Sequence, residues 1–142
     1  MSLHDKDRIS FINYRIERTK ETVGEAESNL DLNYFNLTVN RIYYAMFYSV
    51  EALLLTKDIS SSKHSGVRSF FHKDFIKTGL VDMKYGEFYD EMFNKREAGD
   101  YEVRPVKFTK EEVRRWLDNS KEFVAEINKL TLRLINGNKN KK

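Results

Sequence analysis

Cysteine is absent from this chain of 142 residues, and proline occurs once. Without thiols there is no disulfide framework and no thiolate metal site, and the composition fits a reducing cytoplasm. One proline and six glycines are too few for a turn-rich β fold and favour helices. Long apolar runs are missing as well. The longest unbroken one, residues 42–48, is bracketed by Arg41 and Glu51 and falls far short of the roughly 20 residues that a membrane span needs. The N-terminus carries no secretory signal pattern, so the expectation is a cytoplasmic protein without a membrane segment. The net charge of +3 permits a phosphate-bearing ligand without announcing a nucleic-acid binder. No histidine pair has ligand spacing with a matching carboxylate, which speaks against zinc or iron. Neither a glycine-rich phosphate loop nor a nucleophile elbow is present. The sequence calls for no metal and no cofactor.

What the chain does contain is helical periodicity, and its centre is residues 33–55. That stretch holds no glycine or proline, so nothing breaks a helix over about six turns. Wound at ~100° per residue, it places Phe35, Val39, Ile42, Met46, Val50 and Leu53 on one face. The other face carries Asn40, Arg41, Tyr44, Tyr48 and Glu51, polar but rich in tyrosine where a surface helix shows Lys and Glu. A helix wanted on both sides is the central helix of a bundle. Tyrosine on its outer face suggests a further contact, a two-fold homodimer.

The flanking segments follow the same period. Ile9, Ile12, Ile16, Val23, Ala26 and Leu30, with Thr19 in the remaining slot, predict a helix over 5–29. Its short polar joint to the central helix makes the two antiparallel. A Ser-rich loop follows, then a short helix over 66–77 using Val67, Phe70, Phe71 and Phe75 and closed by Gly79. A fourth helix spans 82–99, with Tyr85, Phe88, Tyr89 and Met92 inward. The fifth has the clearest start: Thr109 caps, Glu112 completes a capping box, and Phe108 staples onto Val113. Its stripe runs Val113, Trp116, Ser120, Phe123, Ile127, Leu130 and Leu134, and Gly137 should end it. The fold class expected is all-α, a five-helix antiparallel up-and-down bundle. It forms a single domain over residues 1–136, with a disordered basic tail over 137–142.

Few residues carry chemistry. Arg96 continues the inward row of Tyr85, Tyr89 and Met92, and a buried charge demands a partner. Asp100 lies four residues on, with Tyr101 just beyond. Two readings stay open: an Arg96–Asp100 pair that ties down the helix end, or an anion site, since guanidinium presents a planar fork to phosphate. His64 sits with Lys63 directly before the short helix, where free backbone N–H groups attract anions. A solvated loop histidine is the plainer reading. His72, among Phe70, Phe71 and Phe75, reads as a surface or packing residue.

Three stretches carry a resemblance. NRIYYAMF at 40–47, KHSGV at 63–67 and KREAGDY at 95–101 are together similar to the HEPN family (higher-eukaryote and prokaryote nucleotide-binding), over roughly residues 9–130. The resemblance implies an antiparallel helical bundle that commonly dimerises. It also implies work beside a small nucleotidyltransferase, often as a toxin–antitoxin-like pair. Some members are metal-independent ribonucleases, with an Arg, four to six residues, a His and often a Tyr. There the Arg holds the scissile phosphate and the His assists the ribose 2′-hydroxyl. Arg96 matches that arginine and Tyr101 the tyrosine. Asp100 stands where the histidine belongs, and an ionised aspartate accepts hydrogen bonds only and repels phosphate.

The expectation is therefore a HEPN-type protein that binds a nucleotide or RNA phosphate as the partner of a nucleotidyltransferase. Arg96, Asp100 and Tyr101 are the catalytic candidates, and Arg41, Tyr44, Lys63 and His64 are ligand-binding candidates. The alternatives are a metal-independent endoribonuclease with an altered site, or a non-catalytic helical interaction module. Whether the protein is an enzyme stays open at this level.

Overall fold

The computed structural model describes residues 3–101 and 106–140, without the side chains of 3, 101 and 138–140. Five α-helices, α1 (Leu3–Asp31), α2 (Phe35–Leu55), α3 (His64–Phe71), α4 (Met83–Tyr101) and α5 (Lys110–Asn140), and one π-helical turn (His72–Ile76) account for its regular structure. The fold is an all-α antiparallel bundle, and among the described residues no strand occurs.

The corner between α1 and α2 is tight because Asn33 adopts a left-handed φ of 63°, a conformation asparagine tolerates better than most residues. Tyr34 N–H then donates to Asn29 O at 2.9 Å, which reverses the chain. α1 lies on α2 through Ile12, Ile16, Ala26 and Leu30, all buried. Its two buried threonines, Thr19 and Thr22, satisfy their hydroxyls on Arg15 O and Arg18 O one turn back.

α2 packs against α1, α3, α4 and α5. Val39, Ile42, Met46, Val50 and Leu53 are sealed in the core, and Tyr43 is sealed with them. Burying side chains of this size contributes about 1.5–3 kcal/mol each, so α2 is the element on which the bundle is built.

The short third helix is not one regular helix over 66–77. It starts at His64 and passes at His72 into a π-turn, where Lys77 N–H reaches back to His72 O at 2.8 Å. Phe71 and Phe75, one before and one within the wider turn, are both fully buried. Its end is the expected one, Gly79 at φ 83°.

α5 opens on the expected capping box. Glu112 N–H donates to Thr109 Oγ1 at 3.1 Å, and Thr109 N–H donates to Glu112 Oε1 at 3.1 Å. Phe108 and Val113 join the core, and the Phe108 ring meets Trp116 edge-on at 5.4 Å. The helix does not stop at Gly137. That glycine is not among those with positive φ, so it forms no left-handed cap, and α5 continues to Asn140.

Candidate functional site

Helix α2 delivers two adjacent tyrosines to the seam with α3 and α4. Tyr43 is fully buried and Tyr44 partly so. Successive residues on a helix point about 100° apart, so the pair spreads a continuous aromatic surface from core to rim. Their rings meet edge-on at 5.3 Å, and Phe47 packs beside both.

Arg96 comes to this surface from α4. It is only 5 % exposed, and its guanidinium lies 4.8 Å from the Tyr43 ring centre and 5.8 Å from that of Tyr44. A cation over ring faces gains about 0.5–2 kcal/mol, most when desolvated.

His64 comes from the other side, as the first residue of α3. It lies flat on Phe47 at 4.4 Å and 14°, and near-parallel to Tyr43 at 5.7 Å. Its Nδ1 is 2.8 Å from the Tyr43 hydroxyl. Arg96 and His64, far apart in sequence, therefore flank the same two tyrosines.

The loop that presents His64 is shaped locally. Lys63 N–H donates to Ser61 Oγ, which in turn donates to Lys63 O. Gly66 lets that serine fold against α3, for a methyl at 66 would collide with Ser61 Oγ.

Electrostatics follow the geometry. Burial and then Arg96 hold the His64 imidazole below its ordinary value, with Glu97 opposing them. His64 is thus neutral at neutral pH. Burial pushes the Tyr43 phenol up to about 12, so its hydroxyl keeps its proton.

The remaining candidates divide between this site and its margin. Arg41 stacks on Tyr44 at 5.1 Å, reaches Asn40 Oδ1 with Nε and Nη2, and Glu25 with Nη1. Asp100 is exposed and accepts from Asn40 Nδ2 at 2.9 Å. It is held by α2 rather than serving only its own helix end. Lys63 is exposed beside His64. Tyr101 is the last residue of α4, and its side chain lies outside the described residues. His72 is a packing residue as expected, with Nε2 2.9 Å from Asp90 Oδ1. Among the described residues no group of three or more His, Asp or Glu is placed to hold a metal ion.

Two participants escaped sequence reasoning. Tyr43 was hidden by its neighbour Tyr44, which helical periodicity put on the outer face. Asn40 gave no sign that it would bridge Arg41 to Asp100. The nearest available signal was the NRIYYAMF stretch itself, in which polar and aromatic residues share one turn.

The arrangement defines a helical-bundle protein with a buried arginine and a half-buried histidine on one aromatic surface. Over residues 12–130 the chain matches the HEPN domain. It belongs to the HEPN family. It is 42 % identical to a "UPF0332 protein" of Thermotoga maritima over 128 residues, covering 90 % of this chain and 95 % of that one. It is also 38 % identical to "Putative toxin MJ0142" of Methanocaldococcus jannaschii, covering 80 % and 77 %. To "Putative toxin MJ0605" of the same archaeon it is 33 % identical, covering 90 % and 94 %.

Proposed function

We propose that this HEPN protein binds a nucleotide or RNA phosphate at Arg96, and acts in the cytoplasm as the toxin-like member of a pair with a small nucleotidyltransferase. The observation that supports phosphate binding most is Arg96 itself. It is a buried guanidinium placed on Tyr43 and Tyr44, with neutral His64 on the same rings and Arg41 and Lys63 at the rim. A positive charge in a low-dielectric setting attracts an anion more strongly than a solvated one does. Asp100 and Glu97 oppose it, and Asn40 and Arg41 sit where they temper Asp100 and Glu25. The toxin-like role rests on the family and on the names of the two archaeal relatives.

The test is titration of mononucleotides and a short single-stranded RNA with chelator present. Binding is expected without divalent ions and should weaken as salt rises. Arg96→Met retains most of the side-chain volume and removes the charge. It should lower affinity by about 1.5–3 kcal/mol, the worth of a lost charge-assisted hydrogen bond. Binding that appeared only with a divalent ion, or that ignored Arg96→Met, would overturn the reading.

A further inference from the structure

Arg41 is held differently from Arg15 and Arg18 of α1. Arg18 donates to Glu21 on its own helix at 2.7 Å, and Arg15 reaches Glu51 where both side chains are mostly covered. Arg41 spends Nε and Nη2 on one atom, Asn40 Oδ1, at 3.0 and 2.7 Å. Only Nη1 meets a carboxylate, that of Glu25 across the seam to α1, and the contact is long at 3.3 Å with the Glu25 side chain 47 % exposed. An exposed ion pair of this kind contributes little and exchanges readily for another anion. Asn40 thus fixes the guanidinium plane, and Glu25 sits where a stronger anion can replace it.

One ring joins Arg41 to Arg96. The Arg41 guanidinium lies 5.1 Å from the Tyr44 ring centre, and that of Arg96 lies 5.8 Å from it. They reach the ring from different sides: Arg41 is tied toward α1 through Glu25, while Arg96 arrives from α4 across Tyr43. Two like charges set apart by a tyrosine ring do not converge on one phosphate. They suit two phosphates held apart by a spacer. Phosphates joined through a single bridging oxygen, as in a diphosphate, lie too close together to span the ring. Phosphates on the 3′ and 5′ oxygens of one sugar are spaced more widely.

We infer that the site takes a nucleoside phosphorylated on both its 3′ and 5′ oxygens, with Arg96 on one phosphate and Arg41 on the other. The inference rests on the phosphate reading of Arg96 and adds a second anion subsite at Arg41, which Glu25 vacates when the ligand binds. No covalent bond is made or broken. A free nucleoside 3′,5′-bisphosphate and an internal nucleotide of a single strand share this chemistry. The base contributes little. Bases stack on open aromatic faces, and here Arg41 and Arg96 lie on Tyr44 and Arg18 lies on Tyr48 at 5.3 Å. Arginine already occupies stacking positions on both outer tyrosines.

The experiment titrates the full chain, in chelator, with adenosine 5′-monophosphate, adenosine 5′-diphosphate and adenosine 3′,5′-bisphosphate. Wild type should hold the bisphosphate at least about tenfold more tightly than either of the others, the range of one further charge-assisted hydrogen bond. The diphosphate controls for charge alone. Arg41→Met should erase the preference and leave monophosphate binding near the wild-type value. Glu25→Gln removes the competing carboxylate and should tighten the bisphosphate by about threefold, the worth of an exposed pair, with the monophosphate unaltered. An unchanged bisphosphate affinity there would overturn the part given to Glu25. Uridine 3′,5′-bisphosphate should bind as tightly as the adenosine compound, and a strong base preference would overturn recognition through phosphates alone. A short single strand without terminal phosphates separates the two sources. Arg41-dependent binding of that strand assigns the site to strands, and its absence beside tight bisphosphate binding assigns it to the free nucleotide. If wild type held all three adenosine ligands alike while Arg96→Met weakened each, or if Arg41→Met kept the bisphosphate preference, the second subsite would be overturned and phosphate binding would stand. If wild type bound none of them, the phosphate reading would fall, and this inference with it.

Discussion

Burial and the positive charge of Arg96 hold His64 below the ordinary imidazole value near 6.5, and this links stability to pH at a single residue. Between the depressed value and the ordinary one, the unfolded chain carries the proton and the folded chain does not. Stability from this group is therefore full above about 6.5 and is lost progressively as pH falls from there through the depressed folded value. Glu51 works in the opposite sense lower down. Burial raises its carboxyl, so its folded form holds a proton longer and its cost grows as pH rises from the ordinary carboxylate value through the raised one, and is constant beyond it. Melting temperatures of wild type and His64→Gln between pH 5.5 and 8 should show the variant with the flatter acidic slope. Equal slopes would mean that His64 is not a buried neutral group. Asp100 gives a second prediction at this scale. Asp100→Asn removes an exposed charge, and its amide oxygen still accepts from Asn40 Nδ2. Stability should stay within about 0.5 kcal/mol, while affinity for RNA phosphate should rise. Weaker binding in that variant would show that the carboxylate helps hold the ligand.

At the scale of elements, the start of α3 sets where His64 stands. Gly66→Ala forces Ser61 away from α3, and with it the hydrogen bonds that fold residue 63 against residue 61. The expected result is a displaced, less buried imidazole, whose titration followed by NMR moves back toward the ordinary histidine value. An unchanged titration would show that the loop shape does not position the imidazole. The start of α5 is a control on the opposite side of the ledger. Thr109→Ala removes the acceptor for Glu112 N–H and should cost about 0.5–2 kcal/mol by denaturant titration, with phosphate binding unaltered. The π-turn at His72 is the element that periodicity alone missed. Its wider hydrogen bonding is a tertiary adjustment, held by Asp90 on His72 and by Gly86, which leaves room for the His72 ring.

At the scale of the whole molecule, the tyrosine face that suggested a partner is largely covered within the chain. Arg41 lies on Tyr44 and Arg18 on Tyr48, each guanidinium capping a ring that periodicity alone would leave wet. Large apolar side chains stand exposed elsewhere: Phe11 and Tyr14 on α1, and Leu32, Tyr34 and Leu37 around the α1–α2 corner. We expect a two-fold dimer that uses one of these surfaces, with a scattering mass twice the 16.9 kDa of one chain at tens of micromolar. A monomer mass at that concentration would sink the expectation. No helix among the described residues is long and apolar enough to cross a membrane, so these exposed groups belong to no α-helical span.

The sequence by itself determined the five α-helices in outline, their inward stripes and the family, though not the π-turn after α3 or the run of α5 past Gly137. Each of those depends on local period and short motifs: the buried stripe of α2, the Thr109–Glu112 box, left-handed Gly79, and the three stretches at 40–47, 63–67 and 95–101. Only the tertiary structure decided what Arg96 and His64 have to do with one another. Periodicity could mark Arg96 as inward and His64 as a loop-edge residue, because each statement concerns a residue and its own chain neighbours. Their meeting depends on how α3 and α4 pack against α2. Packing of that kind is fixed by the shapes of Tyr43, Phe47 and Phe93 in three dimensions, which no one-dimensional pattern records. The same packing drew Asp100 to Asn40 and placed a buried phenol behind the imidazole, so a histidine that looked solvated in sequence became part of the site.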